Sequence, residues 1–160
     1  MPLSKIRDFL DTHYVKYMVI SHSLAYTAQG IAALAHVSGK KMAKTVIVKI
    51  DDVLAMAVVP ASLHVDLDRL KILAGAESVE IASEREFMDA FPDCETGAMP
   101  PFGNLYDMVM YADASLAENE EITFNAGTHR QLVRMAWADV VRLAHPIITT
   151  LTREHLGVAA

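Results

Sequence analysis

The sequence of 160 residues contains a single cysteine, Cys94, so no disulfide can form within the chain and a reducing compartment is expected. Glycine and proline are also sparse, at 7 and 6 residues and scattered, which excludes a collagenous or low-complexity chain. Basic side chains are outnumbered 14 to 20 by acidic ones, and the formal charge of -6 excludes a broad phosphate-gripping surface while leaving room for a local basic patch. Long apolar runs are missing too. The longest uncharged stretch, Tyr17 to Gly39, is broken by Ser21, His22, Ser23, Gln29, His36 and Ser38, so it does not read as a membrane span. Met1 is followed by no charged-then-apolar leader, and a cytoplasmic location is expected.

Several chemical signatures are absent as well. There is no GxSxG elbow, phosphate-binding P-loop or GxGxxG turn. The seven histidines include no i, i+4 pair of the kind that seats a metal on a helix, so neither a metal nor another cofactor is expected. Cys94 stands between Asp93 and Glu95, whose charges would raise the thiol pKa and suppress a thiolate nucleophile.

What is present is apolar material for one core: 52% of residues are hydrophobic, and no linker or internal repeat divides residues 1–160, so one domain is expected. Ile6, Phe9, Leu10 and His13 recur at helical spacing behind Ser4, which predicts a helix over Lys5 to His13. Lys16 to Ile20 reads as a strand, and Thr27 as the cap of a helix through about His36. Thr45 to Ile50, Asp51-Asp52 and Val53 to Val59 form a hairpin pattern. Asp66 caps a short helix that stops at Gly75, and Val79 to Ala82 is a strand. Ser83 and Glu86 make a capping box for a helix through Phe91, stopped by Pro92. Asp93 to Asn104 is turn chemistry. Leu105 to Tyr111, Ile122 to Asn125 and Gln131 to Ala136 read as strands, followed by a helix from about Asp139 to Ala144. The fold class is α/β in the mixed α+β sense: a mixed sheet or small barrel with helices outside.

Three segments have compositions that packing does not explain. In His36 to Thr45 three lysines precede an apolar strand; Lys40 and Lys41 suit a solvated edge, while Lys44 at the strand start is as well placed to enter a cleft along its apolar stem. Glu95 to Asn104 holds two glycines and two prolines, a composition suited to a plain turn or to a stiff loop that presents N–H groups to an oxyanion. Phe124 to Arg130 is a small polar turn in which Asn125, Thr128 and His129 are candidates for a pocket mouth.

In their order these segments resemble the YbaK/prolyl-tRNA-editing family of trans-acting aminoacyl-tRNA deacylases. The resemblance is carried by His22-Ser23 with Tyr26-Thr27-Ala28, by Ala43 to Lys49, by Gly97-Ala98-Met99-Pro100-Pro101-Phe102 and by Phe124-Asn125-Ala126-Gly127. It implies a barrel-like sheet flanked by helices and a metal-free pocket that hydrolyses the ester between a wrong amino acid and the tRNA 3′ end. It assigns catalysis to Lys44 and the loop at Gly97. His22, Tyr26, Thr27, Thr45, Ala98, Met99, Pro100, Pro101, Phe102, Asn125, Gly127, Thr128 and His129 fall to substrate binding. The implied partners are the acceptor end of a mischarged tRNA and an aminoacyl-tRNA synthetase, with no DNA and no membrane. Cysteine-specific members carry Gly-Gly in the proline loop and an acidic residue after the later glycine turn. Here Ala98 follows Gly97, and Arg130-Gln131-Leu132-Val133 offers no carboxylate, which moves the expectation to alanyl, seryl or threonyl esters. A catalytically idle module that binds an aminoacyl-adenosine end, a nucleotide or a synthetase is the competing reading.

Overall fold

A computed structural model describes residues 2–21 and 38–153. Helix α1 (Pro2–Thr12) begins earlier than the sequence pattern predicts, so Ser4 lies inside it. Pro2 suits a first helical position, where its missing N–H leaves no bond unmade. Ile6 and Leu10 of α1 are fully buried in the main core. The expected helix behind Thr27 lies outside the described residues.

Strand β1 (Tyr17–Ser21) pairs antiparallel with β8 (Gln131–Ala136), which pairs antiparallel with β7 (Glu121–Asn125). A second sheet has the order β5-β2-β3-β6-β9, from β2 (Ala43–Ile50), β3 (Val53–Pro60), β5 (Val79–Ile81), β6 (Met110–Asp113) and β9 (Ile147–Thr149). Its β3-β6 and β6-β9 pairs are parallel and the others antiparallel, so the sheet is mixed, as expected. A short β4 (His64–Val65) pairs with β10 (Thr152–Arg153) in the tail, where the sequence pattern carries no signal. The main core fills the space between the two larger sheets with Ile47, Met56, Val58, Phe102, Phe124, Val133 and Met135. A second cluster, including Val48, Ala57, Val59 and Leu70, lies on the other face of β2 and β3.

The β2-β3 hairpin turns through Asp51 and Asp52, both at positive φ (49° and 67°), the geometry of a type I′ turn. Aspartate suits the first position because its Oδ1 accepts from the backbone N–H groups of Glu77 and Ser78, each at 2.9 Å. Helix α2 (Leu67–Ala74) has the predicted Asp66 cap and ends on Gly75 in the left-handed region (φ 63°). Ser83 and Glu86 form the predicted capping box, but α3 (Glu84–Phe87) is one turn and then tightens to a 3-10 turn over Met88–Ala90. Pro92 keeps Phe91 out of the helical region and stops propagation. Helix α4 (Trp137–Ala144) begins two residues before the predicted start.

The strand expected over Leu105 to Tyr111 is largely wrong. Gly103–Leu105 is a 3-10 turn, and regular pairing begins only at Met110. The chain folds back on Gly103, whose carbonyl accepts from the N–H groups of Tyr106 and Met108 at 3.0 and 2.9 Å. A Cβ at Gly103 would lie 2.4 Å from the Met108 carbonyl oxygen, and Asp107 sits at φ 54°. The apolar residues that resemble a strand are therefore the lining of a compact loop.

Candidate active site

The proline loop and the glycine turn, far apart in sequence, form one unit. Glu95 to Ala98 is a reverse turn closed by the Ala98 N–H donating to the Glu95 carbonyl at 3.0 Å, with Gly97 at φ 84° in its third position. That conformation favours glycine. The Glu95 N–H donates to the Gly127 carbonyl at 2.8 Å, and the Gly127 N–H donates to the Ala98 carbonyl at 2.9 Å. The His129 Nε2–H donates to the Thr96 carbonyl at 2.6 Å, and the His129 backbone N–H donates to Glu95 Oε1 at 3.2 Å. Underneath, Ala98, Met99, Pro100, Pro101 and Phe102 are buried, and the Phe102 ring packs edge-on to Phe9 and Phe124. These five side chains anchor the loop. Gly97 itself is exposed, and the amides of Gly97 and Met99 have no acceptor among the described residues.

The start of β2, which carries Lys44, is joined to β7, which leads into the glycine turn, although the groove that Lys44 itself lines holds no residue of the loop or the turn. Met42 and Thr123 form a parallel bridge between the start of β2 and β7, and the Thr123 N–H donates to the Lys41 carbonyl at 2.9 Å. Residues paired in parallel register share a face, and faces alternate with period 2. Ala43 and Ile47 of β2 and Ile122 and Phe124 of β7 accordingly all lie in the main core. Lys44 and Asn125, each two residues beyond the bridge, belong to the opposite face of the junction. Thr45 is half-buried, and its cross-strand partner Val58 puts it on the core side, away from Lys44.

Lys44 lines a groove of about 490 Å³ with Val46, Ile81 and the polar residues His64, Asp66 and Asp68 that lead into α2. Its ammonium makes no ion pair among the described residues, and burial alone lowers its pKa. Lys40 and Lys41 are exposed, as a solvated edge requires. Asn125 is 5% exposed, and its Oδ1 is buried without a hydrogen-bond partner among the described residues. His129 is also buried within the loop unit, whereas Thr128 is half-buried and its Oγ1 accepts from the Arg130 N–H at 3.3 Å. His22, Tyr26 and Thr27 lie outside the described residues. Cys94 has its thiol pushed up to about 11, chiefly by burial and only secondarily by Asp93; Tyr106 OH is 3.3 Å from its Sγ and opposes the rise. The expected direction holds, but the dominant cause is burial.

No local pattern in the sequence places His64 and Asp68 beside Lys44, because β4 is two residues long and carries no periodicity. Asp66 is legible only as a helix cap. Among the described residues no helix is long and apolar enough to cross a membrane.

The sequence matches the family described as "Aminoacyl-tRNA editing domain" over residues 22–143. It is 27% identical over 142 residues to the multifunctional Ser/Thr-tRNA deacylase ProXp-y of Escherichia coli (strain K12), covering 86% of this chain and 84% of that protein. It is 29% identical over 87 residues to a proline–tRNA ligase of Bacillus cereus (strain AH187), covering 54% of this chain but 15% of the ligase. The fold matches a crystal structure of a candidate trans-editing enzyme for prolyl tRNA synthetase with a TM-score of 0.82 at 19% identity, over 95% of this chain and 97% of that one. A hypothetical protein, APE2540, matches with a TM-score of 0.84 at 19% identity, over 93% and 99% of the two chains. The matched region runs from before the Lys44 strand to the last helix and contains both the proline loop and the glycine turn, and the chain belongs to the aminoacyl-tRNA editing domain family.

Proposed function

We propose that the protein is a trans-acting deacylase that hydrolyses the ester linking a small, wrongly attached amino acid to the tRNA 3′ end, with seryl and threonyl esters favoured over cysteinyl. The observation that carries this reading is the Lys44 ammonium: half-buried, without an ion pair among the described residues, and at the edge of a groove. An unpaired cation in a partly desolvated position is costly unless it serves an anion. The anion here is the oxygen that gains charge when water adds to the ester carbonyl, or the phosphate beside it. The amides of Gly97 and Met99, which have no acceptor among the described residues, supply neutral donors of the kind that hold an oxyanion, on a loop whose geometry is set before substrate arrives. Water adds to the carbonyl carbon and the bond to the ribose oxygen breaks. The ribose oxygen takes up a proton, and the amino acid leaves. No protein nucleophile is needed, and Cys94 is held as a thiol. The likeness to the Ser/Thr-tRNA deacylase over most of both chains supports the substrate class, and Ala98 after Gly97 supports the move away from cysteine. The acceptor end of tRNA is the partner that this reading requires, and the match to part of a proline–tRNA ligase supports a synthetase as a second one.

Deacylation across a panel of tRNAs charged with serine, threonine, alanine and cysteine tests the reading. Lys44→Ala should fold normally and lose about 100-fold or more in rate, the scale of one lost electrostatic contact to a developing charge. Full activity in a folded Lys44→Ala protein would remove Lys44 from the mechanism.

A further inference from the structure

Asn125 is the least explained polar group among the described residues. The residue is 5% exposed, yet its Oδ1 meets no donor among the described residues. Buried carboxamides almost always find partners, because an unmet acceptor forfeits its water without compensation. The strand does not need asparagine for its own geometry, since the backbone of β7 is paired with β8 through the Asn125 to Leu132 register position. Asn125 shares the junction face with Lys44, and Gly127, two residues on, is bonded to the proline loop. Asn125 thus lies between the seam that joins β7 to the Lys44 strand and the glycine turn that holds the proline loop.

We propose that Asn125 is a specificity-determining residue that hydrogen-bonds the side-chain hydroxyl of a seryl or threonyl group and thereby selects against alanine. This rests on the deacylase reading above. The α-ammonium of the substrate is the other donor available on an aminoacyl ester, and Lys44 on the same face argues against it, because like charges would be brought together in a partly desolvated space. A hydroxyl is neutral. It can also both donate and accept, so it satisfies the carboxamide with either end turned inward. Alanine has the same backbone and nearly the same bulk but leaves the amide unmet. Size alone separates such substrates poorly, whereas a buried polar group left unpaired separates them well.

The test compares kcat/KM for the same tRNA charged with serine, threonine or alanine, in the wild type and in Asn125→Leu, which keeps the heavy-atom count and branching but lacks the amide. The wild type should prefer serine and threonine to alanine by about 10- to 100-fold, and Asn125→Leu should bring the ratio close to unity. A general structural defect would lower all three rates together and leave the ratio where it was, and that result overturns the assignment. The wild-type ratio stands even if Asn125→Leu does not fold: alanine removed as fast as serine overturns the role of Asn125 while leaving the deacylase reading intact. A wild type that cleaves none of the three esters overturns both.

Discussion

Lys44 stands in a position that water reaches only in part, and this has a consequence for stability separate from catalysis. Burial disfavours the ammonium, so the folded pKa lies below that of the unfolded chain. The native state then holds this proton less tightly than the unfolded state, and the ammonium subtracts from stability at neutral pH. The penalty lifts as pH rises through the folded pKa. Lys44→Met should therefore be at least as stable as the wild type near neutrality, with the wild type gaining on it toward about pH 10, the ordinary lysine range. Urea titrations of both proteins across that range measure the difference. A wild type that loses ground to Lys44→Met as pH rises would mean that the ammonium is stabilised in the fold by a partner. Lys49 shows the contrasting case on the same strand: it pairs with Glu86 and Glu80, which raise its pKa, and Glu86 is held down to about 2 chiefly by Lys49.

At the scale of elements, the proline loop is positioned by its ends and its floor, with Gly97 as the one place where the backbone must enter the left-handed region. In Gly97→Ala the new Cβ would lie 3.4 Å from His129 Cε1, an ordinary contact, so the cost comes from backbone strain, roughly 1–2 kcal/mol. Melting should fall by a few degrees, while deacylation should fall roughly 10- to 100-fold because the turn amides are displaced. Circular dichroism and initial rates on the same preparation separate the two effects, and an unchanged rate would show that those amides face no reacting atom. Elements with local signals were legible in advance: the Asp66 cap, the Gly75 stop, the Ser83 and Glu86 box, and the paired β-branched runs around Asp51-Asp52. The loop at Gly103 was not, because the contacts that bend it run from N–H groups three and five residues on to the Gly103 carbonyl and leave no periodic trace. Of the candidate site, Lys44, Gly97, Asn125 and His129 could be nominated from their segments. That Asn125 and Lys44 share a face depends on one non-local bridge, between residues 81 positions apart, which no window of sequence contains.

On the scale of the whole molecule, a formal charge of -6 limits how much nucleic acid the protein can hold. The exposed Lys40 and Lys41 beside the Lys44 strand can meet only a few phosphates. A minihelix carrying the acceptor stem should be deacylated nearly as well as full tRNA, and the slope of log K against log salt should be no steeper than roughly -3, at about -0.9 per duplex phosphate or -0.7 per single-strand phosphate. Filter binding across a salt series measures it, and a slope near -8 would require a tRNA-reading surface well beyond these lysines. The seam at Met42 and Thr123 is where the two larger sheets join. One sheet carries Lys44 and the other carries Asn125 with the loop bonded behind it, so a substitution that opens the seam should part the two while each sheet keeps its own pairing.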